Sequence, residues 1–147
     1  MKSLFFLSLI AVKVLQADGN AAAEMLAKAA RVGDLKTLES LLSSGVSSDL
    51  PDQYGRAPIY YAASFNQAKV VELLLAYHAD PNPPANRRTY AHGVPATPLQ
   101  SAAELGNRRI AFLLIAAGAQ VNEKGPAGRT ALHCANDQLD VVKIASR

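Results

Sequence analysis

Tryptophan is absent, aromatic residues fill only 6% of the 147 positions, and cysteine occurs once, as Cys134. A lone cysteine excludes an intramolecular disulfide, so stability in an oxidising compartment has to come from packing alone. Charged residues reach only 18% while half of the chain is hydrophobic, which excludes disorder by composition. No apolar run approaches the length that a membrane-spanning helix needs; the run at the start, Leu4 to Val12, is too short to serve as an anchor. The three histidines, His78, His92 and His133, belong to different segments with no cysteine or carboxylate at metal-ligand spacing. No cofactor is therefore expected. The acidic residues are scattered, with no pair spaced for acid–base work, and the glycines form no phosphate loop; Gly55 and Gly128 read as turn glycines. What is abundant is Ala and Leu, which favour helix over sheet, in a length suited to one domain.

The formal charge of +3 is also less than it first looks. Lys2 and Lys13 lie in the segment that ends at Ala17, and without them the basic excess falls from three to one. A nucleic-acid binder needs a concentrated basic face, so none is expected as a partner. The opening segment, "MKSLFFLSLIAVKVLQA", carries a positive start, a short apolar stretch and the small residue Ala17 before polar "DGN". That layout predicts a secretory signal peptide over 1–17, with no stable membrane anchor and a periplasmic or secreted mature chain. Lys13 within the apolar end and Leu15 two places before Ala17 depart from it. The alternative is an ordinary first helix packed on the core of an intracellular protein.

The rest of the chain repeats itself. "APIYYAASFNQAKVVELLLAYHADPN" (57–82), "TPLQSAAELGNRRIAFLLIAAGAQVN" (97–122) and "TALHCANDQLDVVKIA" (130–145) align, and the step from Thr97 to Thr130 sets the period. The step from Ala57 to Thr97 is one period plus a short insertion. One period before Ala57 stands Glu24, where "EMLAKAARVGDLKTLESLLSSGVSSD" has the same layout. Within a unit, Thr97 is placed to cap a helix and Pro98 sits at its first position, where no N–H is needed. Leu99, Ala102 and Ala103 give the first helix an apolar side, and Ile110, Leu113 and Leu114 give the second an amphipathic face. Gly45 and Gly118 end the second helices in the left-handed conformation, and His78 takes that place in the unit between them. Each unit exposes an apolar side that only a neighbour can cover.

A unit of this period opening on T-P-L-H-x-A resembles the ankyrin repeat, over residues 24–145. The resemblance implies an all-α solenoid of about four helix-pair repeats with projecting hairpin loops. On this reading 18–147 is the repeat domain, with an N-terminal cap over 22–50 and units over 51–82, 83–122 and 123–147, the last a clipped cap. It also implies a monomeric protein-interaction module of the exported bacterial type rather than an enzyme. Partners of such proteins sit on the loop tips and on the concave face of the first helices. Carried over by position, that surface comprises Gln53, Tyr54, Arg56, Tyr61, Ser64 and Phe65, then Ala96, Ser101, Glu104 and Leu105, then Arg129, Asn136 and Asp137. Tyr54, Phe65 and Leu105 are expected to be exposed, where they do nothing for folding. The same resemblance gives His133 a structural bond to backbone in the adjoining loop.

The insertion falls in "PPANRRTYAHGVPA", whose prolines forbid helix and whose tip carries Arg87, Arg88 and Tyr90. Arg and Tyr are enriched among interface hot spots, so this tip joins the candidate protein-binding residues. Cys134 reads as a buried packing thiol, because no base is placed to activate it. The partner, and whether it is inhibited, protected or scaffolded, is not encoded in these patterns.

Overall fold

The computed structural model describes residues 19–84, 97–125 and 128–134, and every regular element among them is helical. Seven helices follow in order among the described residues: α1 (Gly19–Val32), α2 (Leu35–Ser43), α3 (Pro58–Ser64), α4 (Ala68–Ala76), α5 (Pro98–Glu104), α6 (Arg108–Ala116) and α7 (Ala131–Cys134). They pack as pairs, α1 on α2, α3 on α4 and α5 on α6, and the pairs stack into two layers. First helices form one layer, α1 to α3 to α5 to α7, and second helices the other, α2 to α4 to α6. The segment 1–17, the loop tip with Arg87, Arg88 and Tyr90, and Ala96, Asn136 and Asp137 lie outside the described residues.

The period in the sequence becomes columns of side chains in the core. Leu26, Ile59 and Leu99 occupy equivalent first-helix positions, and each is at most 1% exposed. Beside them run the alanine pairs Ala29–Ala30, Ala62–Ala63 and Ala102–Ala103, all buried. Their small side chains let the first helices approach closely, which is why alanine recurs there. In the outer layer the columns are Leu38, Val71 and Ala111, and Leu41, Leu74 and Leu114, none more than 2% exposed. The apolar face of α6 therefore runs through Ile110, Ala111 and Leu114. Leu113, expected to share it, is only half-buried and packs at the margin. One residue is a rotation of about 100° on a helix, enough to move a side chain from the centre of a stripe to its edge.

Two turns per unit adopt positive φ. The turn inside each pair uses Gly33 at 81°, Asn66 at 57° and Gly106 at 70°, and the turn after each pair uses Gly45 at 98°, His78 at 63° and Gly118 at 98°. Glycine holds this conformation without strain, and Asn and His are among the residues that tolerate it. Gly33 is the more constrained glycine of the first unit, because a Cβ there would stand 2.5 Å from Gln67 Oε1. Gln67 in turn donates from Nε2 to the Arg31 carbonyl at 3.1 Å, bracing one unit on the previous one. Gly33→Ala is thus expected to destabilise the chain by about 1–2 kcal/mol, from left-handed strain and displacement of that amide. Urea unfolding measures it; unchanged or raised stability would show that the turn and Gln67 relax freely.

Caps and side-chain bridges complete each unit. Thr97 accepts from the Gln100 amide at 3.1 Å and Pro98 opens α5. Asp34 accepts from the Thr37 amide at 3.1 Å and from its hydroxyl at 2.6 Å, and these bonds hold its carboxyl below the usual range. Between units, Asp49 accepts from the Asp80 amide at 2.8 Å, and Asn82 accepts from the Gln120 amide at 2.7 Å while donating to the Gly118 carbonyl at 3.0 Å. Asn82, at the close of its repeat, is therefore a rung between neighbouring turns.

Candidate functional site

The loop that enters α3 is built around one carboxylate. Asp52 Oδ1 accepts from the amides of Tyr54 and Arg56, each at 2.9 Å, and Oδ2 accepts from the Tyr61 hydroxyl. Gly55, at a φ of 74°, lets the chain reverse so that its amide donates to the Asp52 carbonyl at 2.9 Å. Amides of the loop and a side chain on the helix are thus tied to the same acid, which fixes the loop tip relative to α3.

Tyr61 is consequently an anchor and not an exposed contact. It is 8% exposed, which corrects its assignment to the open surface. Burial and then the neighbouring Asp52 carboxylate push its hydroxyl up from the ordinary 10.0 to about 12. The folded state holds this proton more tightly than the unfolded chain. Its contribution is therefore complete below about pH 10 and is lost as pH rises towards about 12. Tyr61→Phe is expected to lower stability by about 1–2 kcal/mol near neutral pH. The gap from wild type should close as pH rises through that window. Parallel urea titrations at several alkaline pH values would give a pH-independent gap if Tyr61 acted by packing alone.

Around this anchor lies a groove of about 380 Å³ between α3 and α5, lined by Arg56, Tyr60, Tyr61, Ser64, Phe65, Ser101, Glu104 and Leu105. The Ser64 hydroxyl donates to the Tyr60 carbonyl at 2.9 Å and meets the Ser101 hydroxyl at 2.8 Å, linking the two helices across the groove floor. Ser101 is buried, which corrects its placement among accessible contacts, and Ser64 is half-buried. Tyr54, Phe65 and Leu105 stand out from the surface with 54%, 48% and 54% of their area exposed, as expected from their repeat positions. Gln53, Glu104 and Arg129 are exposed and Arg56 is half-buried. Of the expected contact residues, the structure brings Arg56, Ser64, Phe65, Glu104 and Leu105 to one groove with the buried Tyr61 and Ser101 in its lining, and Tyr54 stands beside Arg56.

Arginine and aromatic rings alternate along one end of this groove. The Arg56 guanidinium lies 5.8 Å from the Tyr54 ring centroid, 5.5 Å from Tyr60 and 6.0 Å from Tyr61. Arg31 stands 4.9 Å over Phe65 and 6.0 Å from Tyr61. Arg31 is absent from the contact surface read from sequence. The signal is there: it lies one repeat period before Ser64, at the same register of the first helix.

Among the described residues His133 Nδ1 lies 2.8 Å from the Thr130 hydroxyl and accepts from the Thr130 amide at 3.3 Å, within its own turn. Gln100, at the same repeat position, bonds to the next unit, donating to the Glu123 and Arg129 carbonyls at 2.9 and 3.1 Å. Cys134 is half-buried rather than fully enclosed, and burial pushes its thiol up, away from the thiolate form a nucleophile needs. Among the described residues no group of three His, Cys, Asp or Glu could hold a metal ion, and no helix is long and apolar enough to cross a membrane.

Stacked helix pairs with a groove on the first-helix side define a repeat solenoid whose surface, not its interior, varies from unit to unit. Family models place it more closely. One described as "Ankyrin repeats (3 copies)" matches residues 7–85 and one described as "Ankyrin repeat" matches residues 96–126, so the chain belongs to the ankyrin repeat family. It is similar to a putative ankyrin repeat-containing protein of Treponema pallidum (strain Nichols), at 32% identity over 112 residues, covering 76% of this chain and 36% of the relative. It is also similar to the ankyrin repeat, SAM and basic leucine zipper domain-containing protein 1 of Colobus guereza, at 44% over 52 residues, covering 35% of this chain. The chain thus spans about a third of the first relative's length and 11% of the second's.

Proposed function

We propose that this chain is an exported, monomeric binding module that holds a partner protein against the groove and loop tips and thereby regulates, inhibits or protects it. The observation that carries the proposal is the exposure of Tyr54, Phe65 and Leu105 on a rigid helical stack, bordered by Arg31, Arg56 and Glu104. Large side chains left in water contribute nothing to the core and are typical of the centre of a contact patch. Arg87, Arg88 and Tyr90 join the candidate contacts on residue type alone. Affinity capture from the native cell with the wild-type chain and with a Phe65→Ala/Leu105→Ala variant tests the reading. A partner retained equally by both would place the contact elsewhere.

Export rests on the Lys2–apolar–Ala17 layout. The reading of an intracellular regulatory or scaffold protein has one observation in its favour: the family match already begins at residue 7. Intact-mass measurement of the native protein separates the two. Loss of the segment up to Ala17 is the expected result, and an uncut start at Met1 or Lys2 would leave the intracellular reading.

A further inference from the structure

Two guanidiniums stand at the aromatic rings of the groove, Arg56 within its lining and Arg31 on the neighbouring α1. Among the described residues neither Arg31 nor Arg56 forms an ion pair. Both approach the Tyr61 ring, each 6.0 Å from its centroid, so the guanidiniums are separated by at most twice that distance. Arg56 Nε is moreover buried without a hydrogen-bond partner. The nearby carboxylate, Asp52, already accepts from the Tyr54 and Arg56 amides and the Tyr61 hydroxyl and is committed to shaping the loop. On α5, next to the exposed Leu105, stands the exposed Glu104. Among the groove's lining residues Arg56 is the one cation and Glu104 the one anion, and Arg31 reaches the same aromatic rings from the neighbouring helix α1.

We propose that the groove takes an acidic–apolar segment of a partner protein, with an Asp or Glu carboxylate between Arg31 and Arg56 and an adjacent apolar side chain against Phe65 and Leu105. This deepens the protein-binding reading above and rests on it. A carboxylate in that place relieves the mutual repulsion of the two guanidiniums and accepts charge-assisted bonds from them. The rings beneath them keep water from one side, which strengthens the attraction relative to an open surface pair. Glu104 disfavours a second acid beside Leu105, so a uniformly acidic segment fits less well than one with a single acid next to an apolar residue.

The test uses random short peptides displayed on phage and selected on the full chain, followed by titration of a synthetic peptide of the enriched sequence. Enriched sequences are expected to place Asp or Glu within a few residues of Phe, Leu or Tyr. Affinity should fall by about ten-fold or more on Arg31→Glu, stay within a few-fold on Arg31→Lys, and weaken as salt is raised. A peptide in which the acid is replaced by Lys should regain affinity for Arg31→Glu, a gain that misfolding cannot produce. A neutral or basic enriched sequence, an acidic one that binds Arg31→Glu as well as wild type, or no enrichment overturns the inference. The broader reading is separable: a captured partner whose binding fails on Phe65→Ala/Leu105→Ala but ignores Arg31→Glu keeps the binding module and removes the acid.

Discussion

Leu114→Ala should destabilise the protein by about 2–5 kcal/mol. Leu114 is 0% exposed and continues the column of Leu41 and Leu74 in the outer helix layer. It lies on the helix that packs against both α4 and α5, so its removal opens a cavity between elements that cannot both move in. The neighbouring truncation supplies the control. Leu113 is half-buried at the edge of the same stripe, and its replacement by Ala should cost about 1 kcal/mol, because part of its surface is already hydrated. Urea unfolding of both variants decides the register of the helix. Equal losses would mean that the stripe is centred between the two positions. A fall in the denaturant slope for Leu114→Ala would carry separate information. Stability in a stacked array is a sum of units and interfaces, and weakening one interface allows the end of the stack to open before the rest.

That contrast also shows where sequence reasoning succeeds and where it stops in this chain. The repeat spacing, the T-P opening and the turn glycines are local chemistry recurring at fixed intervals, so Thr97, Pro98, Gly118 and even the exceptional His78 are placed correctly from residues alone. Exposure of Tyr54, Phe65 and Leu105 is legible for the same reason, since each sits at a repeat position that faces outward. Tyr61 occupies a comparable position and turns inward, because its hydroxyl finds the loop carboxylate of Asp52 earlier in the chain. Nothing in the periodicity encodes that bond. The inter-unit braces, Gln67 to the Arg31 carbonyl and Asn82 to its neighbours on the next turn, join groups a full repeat apart, and such pairings emerge only once the stack is built. Arg31 escapes a reading that looks for the T-P start, which the degenerate first unit lacks, although counting by the period brings it beside Phe65.

Tyr54→Ala, Phe65→Ala and Leu105→Ala should each weaken binding of the captured partner by about 2 kcal/mol or more while moving the melting midpoint little. The expectation follows from what each side chain does in the free protein. Tyr54 and Leu105 are 54% exposed and make no contribution to the core cluster, so their loss should change stability by about 0.5 kcal/mol or less. Phe65 and Tyr54 also carry a guanidinium at their rings, Arg31 at 4.9 Å over Phe65 and Arg56 at 5.8 Å from Tyr54, and the closer contact contributes about 0.5–1 kcal/mol, so Phe65→Ala should melt slightly earlier than Leu105→Ala. In a complex the balance reverses. Covering these three residues removes their remaining exposed apolar surface from water, and Arg31 and Arg56, already oriented by the rings, lose little freedom on meeting a partner. The pattern to be measured is therefore a separation of two quantities in the same three proteins: calorimetric titration with the captured partner for affinity, and thermal melting for stability. Loss of both together would make these residues part of the fold. Retention of both would clear the first-helix face and leave the outer helices, where Phe112 is 59% exposed, as the surface to truncate next.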